Sequence, residues 1–334
     1  MKRKSSRLIT RIFFKYLLPL FFQKLIRGGE SFRNYFRFYS RKKHIYIKIC
    51  APHWRVAHEW GDFHLANGLK KYFERRGYRT IIQCKTEWKN YGRKQDIALM
   101  LRGLTKYIPD PDQQNIMWLI SHPNDVSISE VELFDHIFVA STKFATELIE
   151  KSSVNVKVMN QCTDPEIFYP IPNQTMEYEL LFVGNSRNIF RQILRDIIPT
   201  QFKLKVFGWG WDAFLDTELV GGTLIPNSQL NDAYNHTSIL LNDHWQDMKG
   251  NGFISNRIFD GVASGTVVVS DKIPELVSLF PESVFCYETK EELNKIIHQL
   301  LTLAPEERSL IGENTFENRV DTFIQCFSKS VPDT

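Results

Sequence analysis

Two α/β domains, each built on a parallel sheet flanked by helices, are what the sequence predicts. Three observations lead there. The chain has 334 residues, too many for one ordinary compact domain and comfortable for two. Short β-rich apolar runs alternate with stretches of helical periodicity, and strands separated by helices pair in parallel. The alternation runs twice, interrupted over residues 162–178 by a polar, proline-bearing stretch that reads as a linker.

The first series occupies residues 44–161. HIYIKIC (44–50) is its first strand. Residues 61–77 then carry apolar positions at helical spacing and stop at Gly77. RTIIQCK (79–85), DIALML (96–101), NIMWLIS (115–121), HIFVAS (136–141) and VKVMN (156–160) read as further buried strands. The second series spans 179–315. Its strands are ELLFVG (179–184), KLKVFG (203–208), SILLND (238–243), TVVVSD (266–271) and VFCYE (284–288), with helices over 187–197, 257–264 and 291–303. Residues 316–334 form a tail expected to pack back on the first domain. Sheets of this kind bind ligands beyond the C-terminal ends of their strands, where the strand order reverses. Two facing domains therefore predict a cleft with a site contributed by both.

Composition narrows the class. Hydrophobic residues make up 43% and charged residues 24%, as in an ordinary globular protein. Cys50, Cys84, Cys162, Cys286 and Cys326 are scattered and odd in number, which argues against a zinc site or disulfide framework and for a reducing compartment. The formal charge of +4 is unevenly spread: residues 1–43 are crowded with Lys and Arg and hold one acid, Glu30. Cations interrupt every apolar run there, so no bilayer span forms and no signal peptide is evident. The segment suits a basic amphipathic helix on an anionic membrane surface, with Phe13, Phe14, Leu17, Leu18, Phe21 and Phe22 inserted. Packing against the protein's own body is the other reading. No nucleic-acid motif accompanies the charge.

Residues 238–271 carry most of the chemistry. A buried strand ends in the polar cluster Asn242, Asp243 and His244, and a loop with Lys249, Gly250 and Gly252 follows. A helix then begins near Ser255 or Asn256, offering free N–H groups and a positive dipole end to a diphosphate. Arg257 stands in its first turn, where a bidentate phosphate contact is possible. Asp260, one turn on, can accept from ribose hydroxyls. An ordinary loop-helix-strand unit, with Arg257 and Asp260 as an ion pair, explains the spacing equally well.

This stretch resembles the donor-binding motif of group-1 glycosyltransferases of the GT-B fold, and more closely their spore-maturation-protein-B-like branch. Asp260 matches the motif's acidic residue, Ala263 and Gly265 its small residues, and Ser270–Asp271 its strand end. LLFVGNSR (180–187) is similar to the first strand and phosphate-side loop of the donor domain, which implies Gly184 and Arg187 near the diphosphate. VFGWGW (206–211), CTDPEIFYP (162–170) and residues 48–78 resemble the following strand, the interdomain segment and the start of the acceptor domain. The likeness covers roughly residues 44–325. It implies a GT-B architecture of two Rossmann-like domains, and a nucleotide-sugar donor held by Gly184, Arg187, Asn242, Asp243, His244, Lys249, Gly252, Ser255, Asn256, Arg257 and Asp260.

One departure matters. Retaining members usually carry two glutamates eight positions apart, and the first falls here on Gly252. Asp243 or Asp247 could stand in for it. Three residues are candidates for the base that takes the acceptor hydroxyl's proton: Asp62 and His64 at the start of the first helix, and His122 after a buried strand. His244 could instead meet leaving phosphate charge. Asp110 and Asp112 spell D-P-D in a turn-like loop that does not suggest a metal site. Charge neutralisation by Arg187, Lys249, Arg257 and the helix dipole makes a metal unnecessary, and no cofactor is expected. The expected function is hexosyl transfer to a glycan or lipid-linked acceptor in surface polysaccharide synthesis, on the cytoplasmic face of the membrane. The alternatives are a nucleotide-sugar epimerase and a non-catalytic nucleotide-sugar-binding envelope or spore-maturation protein.

Overall fold

A computed structural model describes residues 43–90, 92–302 and 316–328. The basic segment expected over residues 1–43 lies outside these, save Lys43, as do 303–315 and the end of the tail. Twelve strands are described, all paired in parallel in two sheets of six.

The first sheet runs β1 (His44–Lys48), β2 (Arg79–Gln83), β3 (Ile97–Arg102), β4 (Gln114–Leu119), β5 (His136–Val139) and β6 (Asn155–Val158) in chain order. In space the order is β2-β1-β3-β4-β5-β6, so it reverses between β1 and β3. Both faces are covered, and alternation along each strand divides the core in two. Ile97, Leu99 and Leu101 of β3 and Ile116, Trp118 and Ile120 of the β4 segment join one cluster. Met100, Met117, Leu119, Ile137 and Val139 join the other. Period-two alternation on a sheet buried on both sides requires this division. Helix α1 (Gly61–Arg75) covers the first face with Leu65, Leu69 and Phe73, and α3 (Thr142–Lys151) the second with Phe144 and Leu148; α2 (Ile128–Val131) is one turn.

The second sheet holds β7 (Tyr178–Val183), β8 (Leu204–Phe207), β9 (Val220–Gly222), β10 (Thr237–Asn242), β11 (Val267–Asp271) and β12 (Val284–Tyr287). Its order is β12-β11-β10-β7-β8-β9, with the reversal between β7 and β10. This is the doubly wound nucleotide-binding topology. The helices are α4 (Gln192–Ile197), α5 (Asn227–Asn235), α6 (Gln246–Gly250), α7 (Asn256–Ala263), α8 (Pro274–Leu279) and α9 (Lys290–Thr302). Here too the strands alternate: Leu180, Phe182, Ile239, Leu241 and Val269 face one core, Leu181, Leu240 and Val268 the other.

A last helix, α10 (Phe316–Ser328), returns to the first domain. Phe323 packs against Phe73, Trp118 and Phe138 with ring centroids 6.1, 5.6 and 5.0 Å apart. Arg76 holds Asp321 through two bonds of 3.0 Å.

The linker is fastened as well. Asp164 is buried and accepts from Lys71 and Tyr72 at 2.8 and 2.9 Å, while Arg75 grips Glu166. A second latch joins the domains through the loop after α6. Lys143 donates to the Gly250 carbonyl at 2.6 Å, Ser141 to the Asn251 carbonyl at 2.5 Å, and Asn251 to Asn124 at 3.1 Å. Met248 and Phe253, from the second domain, sit in the core of the first.

Several elements differ from the sequence reading, among them α2, α3, α6 and α8, which it did not include. The helix expected over 187–197 begins only at Gln192. Arg187 and Asn188 have φ of 64° and 59°, a left-handed conformation that no α-helix accommodates. β9 and α5 were not legible as elements: VGG is too short for a pattern, and NSQLNDAYN is poor in helix formers.

Candidate functional site

A cleft of ≈ 700 Å³ opens between the C-terminal ends of the two sheets. Loops after β1, β3 and β4 form one wall, and loops after β7, β9 and β10 with the start of α7 form the other. Each wall is centred on a reversal of strand order, where this architecture binds ligands. Nine of the expected site residues line it: Asp62, His64 and His122 on the first wall, and Gly184, Arg187, Ser255, Asn256, Arg257 and Asp260 on the second. Gln161, in the crossing segment, bridges the floor by donating to the carbonyls of Ile120 and Ile254 at 3.1 and 3.2 Å.

The second wall is cationic. Arg187, Arg191 and Arg257 converge on the end of β7. Arg191 is buried and paired with Asp243, whose carbonyl it also reaches at 2.7 Å. Arg257 donates to the Asn242 side chain at 3.0 Å. Among the described residues, Arg187 and Arg257 make no ion pair. Burial, with Arg191 and Arg257 nearby, pushes the Arg187 guanidinium down to about 9. A guanidinium still keeps its proton at neutral pH, so this cost appears as attraction for an anion. Gly184 makes the convergence possible: a Cβ there would stand 2.9 Å from an Arg257 nitrogen and 3.3 Å from one of Arg191.

Helix α7 points its N-terminus at the same place. Ser255 occupies the N-cap position, yet its hydroxyl caps nothing. Its own N–H donates instead to His244 Nε2 at 3.0 Å, and His244 Nδ1 lies 2.6 Å from Asp271 Oδ1. Since Nε2 accepts, Nδ1 carries the proton and donates to the carboxylate. Asp260, in the second turn, is buried and accepts from Asn256 at 3.0 Å. Burial drives its carboxyl up to about 7, against the Asn256 bond that favours the ionised form.

On the first wall, Asp62 is the second residue of α1, and its carboxylate turns back to the end of β1. Oδ2 accepts from the Cys50 N–H at 2.5 Å, whereas Oδ1 is buried without a hydrogen-bond partner. Burial raises this carboxyl to about 6 even though backbone N–H groups favour its ionised form. His64 is anchored: Nε2 lies 2.8 Å from the His58 carbonyl, so Nε2 carries the proton, and burial lowers its basicity. His122 is held with φ of 54°, its ring 5.7 Å from that of Trp245 and its Nδ1 3.6 Å from Asp247.

Five expected donor residues lie elsewhere. Asn242 is buried beneath the cleft, between Arg257 and Ser270. Asp243 is consumed by Arg191, so it is not a free replacement for the missing glutamate. His244 spends both ring nitrogens on Asp271 and Ser255, facing away from the cleft's lining. Lys249 faces Asp271 at 3.6 Å in a separate cavity of ≈ 230 Å³ behind the site. Gly252, with φ of 76°, ends α6: its N–H bonds the Lys249 carbonyl while the Phe253 N–H bonds that of Met248, a Schellman cap. A side chain there would meet Ser141 and Glu275 at 3.1 Å, so the position belongs to the interdomain latch. Two cleft residues were missed from sequence, Arg191 and Trp245. Arg191 falls within the helix expected over 187–197 and Trp245 in a loop, and only their types, a cation and an aromatic, could have flagged them.

Comparison with known proteins agrees with the architecture. Residues 185–324 match the family described as glycosyl transferase-like. No curated protein sequence matches the chain. Three solved structures share its fold at low identity. AviGT4, a glycosyltransferase involved in avilamycin A biosynthesis, aligns with TM-score 0.61 and 12% identity over 86% of this chain and 97% of its own. A glycosyltransferase from Rickettsia africae gives 0.57 and 12% over 88% and 100%. Trehalose-6-phosphate from E. coli, bound with UDP-2-fluoro glucose, gives 0.54 and 10% over 81% and 78%. The fold is GT-B, that of a large class of glycosyltransferases. The chain's likeness is to that GT-B group as a whole, and none of these relatives singles out the spore-maturation branch. Among the described residues no helix is long and apolar enough to cross a membrane.

Proposed function

We propose that the chain transfers a sugar from a nucleoside-diphosphate sugar to a hydroxyl acceptor bound in the cleft. The observation that carries this reading is the opposition of two walls: three arginines and a helix N-terminus on one, and an unpartnered Asp62 oxygen on the other. The donor diphosphate lies against Arg187, Arg191, Arg257 and the first turn of α7, with ribose hydroxyls on Asp260. Asp62 takes the acceptor hydroxyl's proton, and that oxygen attacks the anomeric carbon. The bond from the anomeric carbon to the diphosphate oxygen breaks, and the nucleoside diphosphate leaves with the electron pair, its growing charge met by the guanidinium groups. With no carboxylate at position 252, the reading favours single displacement with inversion. The arginine cluster supplies the charge that a divalent cation otherwise brings, so transfer proceeds without metal or other cofactor. A glycan or lipid-linked acceptor of surface polysaccharide, used at the cytoplasmic face of the membrane, fits the basic residues 1–43.

A thermal-shift screen against nucleoside diphosphates tests the donor site, because a ligand of the folded state alone must raise the melting temperature. One diphosphate should stabilise the protein, and Arg257→Ala and Asp260→Ala should abolish the shift. A folded protein that responds to none would refute the reading. The configuration of the transferred sugar, read by NMR, tests inversion, and undiminished turnover in EDTA tests metal independence.

A further inference from the structure

Arg187 reaches the cleft's cationic corner from one side and the indole of Trp245 from the other. Its guanidinium sits over the indole of Trp245, the guanidinium carbon 3.8 Å from the ring centroid. Burial and the nearby charges of Arg191 and Arg257 both disfavour its charge. The π face of Trp245 is the alternative partner for that cation. Trp245 itself spans the domains. It belongs to the loop between β10 and α6, yet it packs against the core of the first domain and faces the His122 ring across a 58° angle. Asp247, two residues on, completes the chain: it stands 3.6 Å from His122 Nδ1 and is one of the charges felt by Arg187. Both ends of this chain have left-handed backbones, Arg187 at φ 64° and His122 at φ 54°. Side chains bearing Cβ atoms hold that conformation only where the surroundings impose it, and such positions gather at ligand clamps and switches.

We propose that Trp245 is a positioning residue that couples occupancy of the arginine corner to the orientation of His122, through release of Arg187 from its indole face. The coupling rests on the donor reading above. A diphosphate neutralises the repulsion among the three arginines and offers Arg187 charge-assisted hydrogen bonds that the indole cannot. Arg187 then leaves the ring, and the indole repacks against His122 on the opposite wall and against Asp247 beside it. His122 is thereby set for the acceptor only when a donor is in place. A ligand shifts such an equilibrium only through its different affinity for the two arrangements, and the diphosphate has that difference because it contacts Arg187 in one of them alone.

The test uses the full chain with fluorinated tryptophan and ¹⁵N-labelled histidine, titrated with inorganic pyrophosphate. Trp245→Phe and His122→Gln assign the two resonances. In the wild type, both should move with one common dissociation constant. Arg187→Ala should weaken pyrophosphate by about tenfold, as for one lost charge-assisted contact, and silence both resonances when saturated. Trp245→Leu should still bind pyrophosphate but leave His122 unmoved, while Trp245→Phe, which keeps an aromatic face, should restore part of the response. Pyrophosphate binding with Trp245 or His122 static in the wild type, or an undiminished His122 response in folded Trp245→Leu, overturns the coupling and leaves the donor reading standing. The wild-type measurement decides the matter even if the leucine variant does not fold. Failure of pyrophosphate and of every nucleoside diphosphate to bind overturns both.

Discussion

Replacing Asp62 with asparagine should make the protein more stable and inactive, and the size of both effects follows from one carboxyl. Its ordinary pKa of 3.8 is raised to about 6 in the fold, mainly by burial. The folded state therefore binds this proton more tightly than the unfolded chain does. The stabilisation that the proton brings is full below about pH 4 and is lost as pH rises to about 6, beyond which the ionised carboxylate is a constant cost. That rise corresponds to about 3 kcal/mol, and water reaching this partly exposed residue in the cleft reduces it to about 2 kcal/mol. An asparagine never ionises, and its carbonyl can still accept from the Cys50 N–H. Urea denaturation from pH 4 to pH 8 measures the effect. The variant should match the wild type near pH 4, gain through pH 6 and stay ahead by about 2 kcal/mol at pH 8.

In the proposed function the same carboxyl sets the rate. As the acceptor's base, Asp62 works only when ionised, so kcat/KM should rise with pH along a limb centred near 6 and level off above it. Asp62→Asn should lower kcat by about 10²–10⁴-fold, the usual share of one positioned base. A variant that loses stability at pH 8, or one that keeps wild-type turnover there, refutes the assignment. The first result would mean that the carboxylate is held by structure rather than strained for use. The second would move the base to His122 or His64.

Gly184→Ala should weaken nucleoside diphosphate binding by about tenfold or more without touching the ligand, because its new methyl displaces Arg257 and Arg191; calorimetry reads it, and unchanged affinity would remove Gly184 from the site. His244→Ala strips partners from Asp271 and from the Ser255 N–H, so it should cost about 2–3 kcal/mol in denaturant while a direct phosphate role would instead leave stability intact and lower kcat. Arg257→Lys should fail to restore nucleotide binding lost in Arg257→Ala, because an ammonium cannot bond the Asn242 side chain and two phosphate oxygens in the guanidinium's fixed fork; recovery of the thermal shift would count against bidentate contact.

The fold was readable because its signal is redundant. Every central strand is an apolar run buried on both faces, such as IALML in β3 and TVVVS around β11, and such runs need no exact boundaries to be recognised. Two of the elements that escaped, β9 and α5, are held by tertiary contact rather than by pattern. β9 is three residues of VGG whose place is fixed by β8, where its glycines lie against the ring of Phe207. Helix α5 is rich in asparagine, and two of these, Asn231 and Asn235, are buried because they hold the linker's backbone at Tyr169 and Ile171. Propensity has no term for a helix whose polar residues are its packing surface.

For the site, sequence pattern found the residues near the chemistry but could not separate those that touch a ligand from those that hold them in place. Asn242, Asp243 and His244 follow one another at a strand end, and in sequence all three look like ligand contacts. In the fold each serves another residue: Asn242 receives Arg257, Asp243 receives Arg191, and His244 fixes the N-terminus of α7. The polar cluster is thus the support for a cationic surface one layer above it. That arrangement has a physical cause. Three guanidinium groups gathered at one strand end repel one another, and they stay together only if acceptors behind them hold each in place, or, for Arg187, an aromatic face does. In the proposed function, a diphosphate relieves the repulsion left over. A site of this design spends carboxylates and amides beneath the ligand and leaves the ligand's own charge to complete the set, and Arg191, absent from any sequence motif, is where that logic is most visible.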